Sequence, residues 1–182
     1  TMRIIALRHG QSEYNLRRLC NDDPASRVDL TMLGITQALA AAEHLTAEPI
    51  ERIFCSPLLR AQRTAEIVAS RLGLVATVDP RLADIRSGCD GRPVAEYLGA
   101  IAHDPVDARV GDGESLRDYQ SRVSGFLDWL AGKPWHCVLL VAHEETLRMF
   151  WAHCEGLDLK EVVARKFDNC VPYIWELVAP AS

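Results

Sequence analysis

The amino-acid sequence predicts an α/β protein with a mostly parallel central sheet. Short apolar runs alternate along the chain with segments that carry apolar residues at helical spacing. Consecutive parallel strands need crossover helices, and these cover both faces of the sheet. The predicted architecture is therefore a three-layer α/β/α sandwich, and its 182 residues suit a single domain over residues 1–182.

Five segments are predicted as strands, because each is a short run of mainly apolar or β-branched residues that ends at turn or charged residues. The clearest is the run Cys-Val-Leu-Leu-Val-Ala, in which every residue is apolar. The predicted strands are 3–7, 52–55, 76–78, 137–142 and 171–178.

Capping residues and apolar stripes predict the helices. Thr31 is placed to cap one helix, and Ser115 with Asp118 forms a capping-box pattern before another. Pro57 is tolerated in the first turn of a helix that Gly73 would end. The predicted helical segments are 31–45, 56–72, 94–102, 116–130, 146–154 and a short turn at 159–163.

Composition excludes some classes of protein. Lys and Arg number 20 against 25 Asp and Glu, a net charge of -5, which argues against a general nucleic-acid-binding surface. The apolar runs are far shorter than the roughly 20 residues of a membrane-spanning helix, and the N-terminus lacks the apolar core of a secretory signal. We therefore expect a cytoplasmic protein with neither nucleic-acid nor membrane partners.

The six cysteines are scattered and contain no C-x-x-C pair. This spacing predicts reduced, mostly buried thiols, as in a cytosolic protein, and not a zinc site. The cysteines are Cys20, Cys55, Cys89, Cys137, Cys154 and Cys170.

The segment 79–113 has no long periodic pattern and is rich in glycine and proline. It is the candidate cap or lid of the domain, with one helix predicted inside it. The alternative interpretation is a plain surface connection.

Two predicted strands end in a histidine. His9 follows the first strand and His143 follows the fourth, and the carboxyl ends of parallel strands form ligand sites. Arg8 precedes His9, and Arg60 lies shortly after the second strand. Two arginines and two histidines at one edge predict a strongly cationic pocket for a phosphate ester, because guanidinium groups match phosphate oxygens.

Several phosphate chemistries lack their motifs here. The sequence contains no G-x-x-x-x-G-K-[ST] loop, no C-x5-R loop and no dense group of carboxylates and histidines for a metal. A histidine nucleophile is the covalent option that remains.

Five motifs in the same order then resemble the histidine phosphatase superfamily, also called the phosphoglycerate mutase-like family, over nearly the whole chain. The first four are R-H-G-x-S-x-x-N at 8–15, L-T-x-x-G-x-x-Q-A at 30–38, S-P-x-x-R-A-x-x-T-A at 56–65 and G-E-S at 113–115. The fifth is His143 after the last buried strand, and the resemblance implies the same three-layer fold.

The resemblance implies a role for each matching residue. His9 would be the nucleophile, while Arg8, Arg60 and His143 would hold the phosphoryl oxygens. Asn15 would contact the phosphate or orient its loop. Such enzymes need no metal, because fixed cations around the phosphoryl group supply the charge. We expect no cofactor.

Asp84 occupies the position of the proton-donor glutamate of the family. As a general acid it must stay protonated, which requires a raised pKa. The alternative is a turn carboxylate paired with Arg86 or Arg92. Asp90 is the second candidate for the proton donor.

Three more candidate substrate-binding residues carry open alternatives. Glu144 stands where the family often has glycine, and it either points away at the start of a helix or enters the cleft, to repel anions or bind a cationic group. Asn21 stands at another usual glycine, and asparagine can adopt the left-handed backbone that glycine uses there. Ser12 either lies near the phosphate or hydrogen-bonds within its loop.

The sequence therefore predicts a metal-independent phosphomonoester hydrolase that acts on a small phosphorylated metabolite through a phosphohistidine. The phosphatase branch is favoured because the chain looks too short to enclose a retained phosphoglycerate as the mutases do. The alternatives are mutase-type phosphoryl transfer, a phosphoprotein (phosphohistidine) phosphatase and a non-catalytic phosphate-binding module. The oligomeric state stays open, with a dimer possible.

Overall fold

A central sheet of five strands organises the residues that the computed structural model describes, 1–181. The strands are β1 (Met2–Arg8), β2 (Arg52–Cys55), β3 (Ala76–Val78), β4 (Cys137–Ala142) and β5 (Pro172–Leu177). Their order across the sheet is β3-β2-β4-β1-β5. Four of the strands are parallel, and β5 runs antiparallel to β1 at one edge. The predicted mostly parallel sheet is confirmed.

Helices connect the strands as the sequence predicts. They are α1 (Glu13–Arg17), α2 (Met32–Leu45), α3 (Leu59–Leu72), α4 (Val94–Ile101), α5 (Leu116–Ala131), α6 (Glu144–Glu155) and α7 (Leu159–Val162), with a 3-10 turn at Pro80–Leu82. The predicted caps are present, since Thr31 and Ser115 each accept a backbone hydrogen bond at a helix start. Gly73 ends α3 with a φ of 68°.

The two faces of the sheet contribute to separate apolar cores. In β4, Val138 and Leu140 pack with residues of α5 and α6, whereas Leu139 and Val141 pack with residues of α2 and α3. All six residues of β4 are buried. A strand buried on both faces has no need of polar alternation, which explains its continuous apolar run.

Some element boundaries differ from the prediction. The prediction that Pro57 lies in the first turn of α3 is wrong, because the helix begins at Leu59. The hydroxyl of Ser56 accepts from the N–H of Leu58 at 3.1 Å, and the chain bends at Pro57 and Leu58 before the helix begins. Helix α6 begins at Glu144, two residues earlier than predicted, with His143 at the N-cap position and its N–H donating to the hydroxyl of Thr146 at 3.3 Å. The five-residue α1 escaped prediction, since a single turn has no periodic pattern.

A close backbone contact joins the loop after β1 to the start of α2. A Cβ atom added to Gly10 would lie 2.4 Å from the carbonyl oxygen of Gly34, and one added to Gly34 would lie 2.1 Å from that of Gln11. Only glycine allows two backbones to approach this closely. The contact fixes the position of the loop that carries His9.

The structure bears on two expectations from composition, one about the cysteines and one about membrane-spanning helices. All six cysteines are free, and only Cys154 among them is more than slightly exposed. No helix within residues 1–181 is long and apolar enough to cross a membrane.

Candidate active site

A cavity of about 350 Å³ opens at the carboxyl ends of β1, β2 and β4. Arg8, His9, Arg60 and His143 meet in it, because each lies at or shortly after the end of one of these strands. The lining residues are Arg8, His9, Asn15, Leu19, Cys20, Asn21, Asp22, Arg60, Asp84, Ile85, Ser87, Val94, Tyr97, Leu98, His143, Glu144, Glu145, Arg148, Val163 and Lys166.

His9 is buried and held in one tautomer. Its Nδ1 lies 2.7 Å from the carbonyl oxygen of Gly10, and a carbonyl can only accept, so Nδ1 carries the proton. Nε2 therefore presents its lone pair, to which Nε of Arg60 donates at 3.1 Å. Burial first, and then the charges of Arg60 and Arg8, lower the pKa of His9 well below its usual value. The ring is neutral, with Nε2 available as a nucleophile.

The guanidinium of Arg60 is buried and fixed from several sides. Nη2 donates to the carbonyl oxygen of Asn21 at 2.8 Å and to Oδ2 of Asp84 at 3.3 Å, while Nη1 donates to the side-chain oxygen of Asn21. Thr64 joins this helix to the nucleophile loop, because its hydroxyl accepts from the N–H of Gly10 at 3.0 Å. The position of Arg60 relative to His9 is therefore set by both backbone and side chains.

His143 faces the centre of the cavity through Nδ1, whereas His9 does so through Nε2. Its Nε2 lies 2.7 Å from the hydroxyl of Ser56, which already accepts from the N–H of Leu58 and can donate its proton to the ring. In that arrangement Nδ1 carries the proton, and it lies 3.8 Å from Oδ2 of Asp84. Burial first, and then Arg60, lower the pKa of His143 well below its usual value. In that arrangement His143 is a neutral donor.

Arg8 is anchored through one end of its guanidinium. Nη1 donates to the carbonyl oxygen of Phe167 at 2.8 Å and to Oε2 of Glu144 at 3.3 Å. Within residues 1–181, two buried side-chain polar atoms have no hydrogen-bond partner, and they are Nε of Arg8 and Nδ1 of His143. Both belong to residues that line this cavity. Buried donors of this kind call for an acceptor, and phosphoryl oxygens are acceptors.

Asp84 contacts the centre of the site through Oδ2, while its Oδ1 accepts from the N–H of Ile85 at 2.9 Å. Burial outweighs the charge of Arg60 and raises the pKa of Asp84 to about 6. The alternative pairing with Arg86 or Arg92 is not the one observed, because Asp84 pairs with Arg60. Arg92 pairs with Glu96 instead, outside the cavity.

Asp90, the second candidate for the proton donor, lies outside the lining of the cavity. Its carboxylate accepts from the N–H groups of Asp22 and Asp23 and from the side chains of Ser26 and Asn21. Burial acts to raise the pKa of Asp90, but these hydrogen bonds outweigh it and lower the pKa. Asp90 is therefore an ionised carboxylate whose hydrogen bonds hold the loop over residues 21–26.

Glu144 enters the wall of the cavity. Its Oε2 accepts from Arg8 and from the N–H of Phe167 at 3.0 Å, and its Oε1 accepts from Nη2 of Arg148 at 3.1 Å. Of the two predicted positions for this side chain, the structure has the one in the cleft. The carboxylate there is already satisfied by arginines of the protein.

The prediction of a strongly cationic pocket is wrong. Both histidines are neutral, and four carboxyl groups line the cavity beside the arginines. These carboxyl groups belong to Asp22, Asp84, Glu144 and Glu145. The motifs carry the cations, whereas the fold brings these acids beside them from positions that the motifs do not mark.

The remaining predicted residues lie around the loop after β1. Asn15 lines the cavity. Ser12 does not, because it is buried in a capping box in which its hydroxyl accepts from the N–H of Asn15 at 3.1 Å. Asn21 does not take the left-handed backbone that was open to it, and Arg18 has this conformation instead with a φ of 52°. Asn21 serves the site by holding Arg60.

Sequence reasoning missed two sets of contacts. Ser56 stands in a quoted motif, but its bond to His143 depends on two strand ends that are 87 positions apart. The loop before β5 also supports the site, because the side-chain amide of Asn169 donates to the carbonyl oxygen of His9 at 2.8 Å. No pattern in the sequence marks that loop.

The segment 79–113 forms one wall of the cavity. Six of its residues are in the lining, and they are Asp84, Ile85, Ser87, Val94, Tyr97 and Leu98. The segment thus lies in the same cavity as Arg8, His9, Arg60 and His143. Whether it moves as a lid stays a prediction.

Fold and site together define a histidine phosphatase, and comparison with known proteins gives the same class. Residues 4–178 match the family described as the histidine phosphatase superfamily (branch 1). The chain belongs to this superfamily, as its motifs predict.

Similar proteins include both phosphatases and mutases. The chain is 30% identical over 175 residues to "Putative phosphoserine phosphatase 2" from Hydrogenobacter thermophilus, covering 92% of this chain and 85% of that protein. It is 28% identical to "Probable phosphoglycerate mutase GpmB" from Yersinia pestis, covering 93% and 82%. Among solved structures, a mycobacterial glucosyl-3-phosphoglycerate phosphatase in complex with VO3 is 29% identical with a TM-score of 0.83, covering 96% and 90%.

Proposed function

We propose that this histidine phosphatase hydrolyses phosphomonoesters of small metabolites through a phosphohistidine on Nε2 of His9, without a metal ion. The observation that carries the proposal is the pair of buried donors without partners, Nε of Arg8 and Nδ1 of His143, beside a neutral histidine with an available lone pair. The oxygens of a bound phosphoryl group would accept hydrogen bonds from both donors, and its phosphorus would lie next to Nε2 of His9.

In the first step Nε2 of His9 attacks phosphorus and the bond from phosphorus to the leaving oxygen breaks. The proton on Nδ1 stays directed at the carbonyl oxygen of Gly10, which stabilises the positive charge that develops on the ring. Lowered pKa values keep His9 unprotonated, so no base is needed to activate it.

Arg8, Arg60 and His143 hold the phosphoryl oxygens during transfer. Arg8 and Arg60 supply fixed positive charge, and His143 supplies a neutral N–H donor. Preorganised donors of this kind stabilise the charge of the transition state, because they need no reorganisation as the charge moves. Two fixed guanidinium groups can therefore do here what a metal ion does in other phosphoryl-transfer sites.

Asp84 serves as the general acid and then as the general base. Its raised pKa of about 6 leaves part of the population protonated near neutral pH, and that proton passes to the leaving alkoxide. In the second step the Asp84 carboxylate takes a proton from water, the water oxygen attacks phosphorus, and the bond from phosphorus to Nε2 breaks. Phosphate leaves, and His9 and Asp84 regain their first states.

The named relatives support hydrolysis, since a phosphoserine phosphatase and a glucosyl-3-phosphoglycerate phosphatase are among them. The six free thiols support the proposal of a reducing, cytoplasmic compartment.

The test is hydrolysis of p-nitrophenyl phosphate in the presence of EDTA by wild type, His9→Ala and Asp84→Asn. We expect turnover that survives EDTA and is lost in His9→Ala. Asp84→Asn should slow an alkyl phosphate more than p-nitrophenyl phosphate, because nitrophenolate leaves without a proton. Quenching during turnover in alkali, which preserves phosphohistidine, should trap labelled phosphate on the wild-type chain.

His44→Ala is the matched control, because His44 is exposed on α2 and far in sequence from both site histidines. It should retain full activity. Activity that survives in His9→Ala, or disappears with EDTA, would contradict the proposed mechanism.

A further inference from the structure

Helix α4 presents an apolar face to the cavity. Val94, Tyr97 and Leu98 lie at positions i, i+3 and i+4, which share one side of a helix, and all three line the cavity. Leu98 is 55% exposed, and Ile101 is the one buried residue of this helix. The apolar face is thus not covered by the core of the protein.

Two other segments extend this apolar surface. Leu19, from the loop after α1, and Val163, at the end of α7, also line the cavity. The five side chains form what we call the apolar wall: Leu19, Val94, Tyr97, Leu98 and Val163. None of them is among the residues assigned to the phosphoryl group in the proposed reaction, so the wall is left for the part of a substrate beyond its phosphate.

The charged groups near the wall do not suit a second anion. Asp22 and Glu145 line the cavity as carboxyl groups. Each nitrogen of the Arg148 guanidinium already donates within the protein, to Glu144 at 3.1 Å, to Glu145 at 2.8 Å and to the carbonyl oxygen of Arg165 at 2.8 Å. Arg8 and Arg60 would hold the phosphate in the proposed reaction. In the described lining, the exposed Lys166 is then the cationic side chain that remains available to the rest of a substrate.

We propose that the preferred substrates are phosphomonoesters of an alcohol with an apolar body about the size of one ring and with no second anionic group. The inference rests on the proposed function, because the phosphate occupies the same Arg8, His9 and His143 centre. Contact of an apolar body with the wall removes both surfaces from water, and a carboxylate-bearing alcohol would instead meet Asp22 and Glu145.

The test compares alkyl phosphates, whose alcohols have similar leaving ability. Wild type should hydrolyse 2-phenylethyl phosphate with a kcat/KM about ten- to a hundredfold above that for ethyl phosphate, as burial of a ring predicts. The kcat/KM for 3-phosphoglycerate should lie below that for 2-phenylethyl phosphate by a similar factor.

Leu98→Ser tests the wall itself. Because Leu98 is half exposed, its replacement should leave the fold intact, and the loss in kcat/KM should be at least fivefold larger for 2-phenylethyl phosphate than for ethyl phosphate. Leu39→Ser is the matched control, since Leu39 is also 55% exposed and lies outside the cavity lining. It should change neither rate.

A preference for 3-phosphoglycerate, or an equal loss on both alkyl phosphates in Leu98→Ser, would overturn the inference. Binding measurements by calorimetry separate this failure from failure of the proposed function. If wild type hydrolyses none of the esters, the proposed function fails. Tighter binding of 2-phenylethylphosphonate than of 3-phosphonopropionate would then still support the apolar wall, and the reverse order would overturn it.

Discussion

Nε of Arg60 donates to Nε2 of His9 across 3.1 Å, so a fixed positive charge lies beside the lone pair that attacks phosphorus in the proposed reaction. Burial first, and then this contact, keep the imidazole neutral, because protonation at Nε2 would place two cations together in a buried site. When a phosphoryl group enters, its oxygens can accept from the same guanidinium. One residue thus both maintains the nucleophile and binds the group that it attacks.

Arg60→Gln should therefore change two measurable properties. The pKa of His9 should rise, because Arg60 is the largest charge that lowers it, and NMR titration of the ring checks this shift. The kcat/KM for p-nitrophenyl phosphate should fall by about 10²- to 10³-fold, as removal of one preorganised donor does elsewhere.

Arg63→Gln is the control for Arg60→Gln. Arg63 lies in the same helix, but it is half exposed and pairs with Asp29 outside the cavity. We expect wild-type rates and an unchanged His9 pKa in this variant. An unchanged His9 pKa in Arg60→Gln would show that burial alone keeps the ring neutral.

The pH dependence of kcat should report the protonation state of Asp84. Its pKa is raised to about 6, so the protonated acid is lost as the pH rises through that value. For alkyl phosphates kcat should fall across this range, because the leaving alkoxide needs the proton. The pKa of His9 is lowered well below its usual value, mainly by burial, so protonation of the nucleophile should not cause this decline.

Phosphate monoesters themselves ionise near pH 6, so Asp84→Asn is needed to separate the two titrations. This variant should retain any pH dependence that belongs to the substrate and lose the decline that belongs to the acid. A profile for an alkyl phosphate that is identical in wild type and Asp84→Asn would count against Asp84 as the proton donor.

Glu144 should act as a positioning residue for Arg8. It accepts from Nη1 of Arg8 and from the backbone N–H of Phe167, whose carbonyl oxygen holds the same Nη1. Glu144→Ala would free the guanidinium to rotate away from the phosphate, and we expect kcat/KM to fall by about tenfold or more, since misplaced catalytic groups are costly. Vanadate affinity should fall with it.

Glu145→Ala provides the comparison for Glu144→Ala, because Glu145 pairs with Arg148 but makes no hydrogen bond to Arg8. Its rate on a small ester should stay within about threefold of wild type, as one lost pair away from the reacting atoms implies. Equal losses in both variants would indicate a general disturbance of α6 and not control of Arg8.

Most of the fold follows from local sequence. The run from Cys137 to Ala142 could be placed because a strand buried on both faces is apolar throughout. Thr31 and Ser115 marked helix starts because their side chains bond backbone N–H groups three residues ahead. The partners in these interactions are close together along the chain, so both can be identified from the local sequence.

The chemistry of the site was predictable only where strand ends carry it. His9 and His143 end parallel neighbours, so topology alone brings them together. The role of Glu144 depends on the side chains of Arg8 and Arg148 and on the backbone of Phe167, which no spacing rule relates. The charge balance of the cavity was missed for the same reason.

The contact between Gly10 and Gly34 should be intolerant of any side chain. In Gly34→Ala the new Cβ would lie 2.1 Å from the carbonyl oxygen of Gln11, so the His9 loop or α2 must shift. We expect a loss of about 1–3 kcal/mol in the free energy of unfolding, as for other overpacked sites. Activity should fall too, because the loop positions the nucleophile.

Gly125→Ala is the matched substitution for Gly34→Ala. Gly125 lies inside α5, and a Cβ added there meets nothing within 4 Å. Alanine should stabilise the protein by about 0.5–1 kcal/mol, since glycine is unfavourable in a helix interior. Urea unfolding measures both variants, and a neutral Gly34→Ala would mean that the two backbones separate freely.

Arg122 holds the segment that carries Asp84. Its guanidinium donates to the buried carboxylate of Glu114 at 2.7 and 3.0 Å and to the carbonyl oxygens of Arg81, Ala83 and Asp84. Arg122→Met would leave Glu114 buried without its cation, which costs about 3–5 kcal/mol in comparable pairs. It would also release the backbone beside the proton donor.

The consequence for catalysis distinguishes this role of Arg122 from simple loss of stability. In the folded Arg122→Met variant, an alkyl phosphate should be slowed more than p-nitrophenyl phosphate, because only the former needs a correctly placed Asp84 proton. Arg117→Met supplies the control, since Arg117 is exposed in the same helix and pairs with Asp107 at the surface. Its unfolding free energy should change by about 0.5 kcal/mol or less. Equal slowing of both esters in Arg122→Met would limit Arg122 to a structural role. Selective slowing of the alkyl phosphate would show that this guanidinium holds the segment with Asp84 in the position that proton transfer requires.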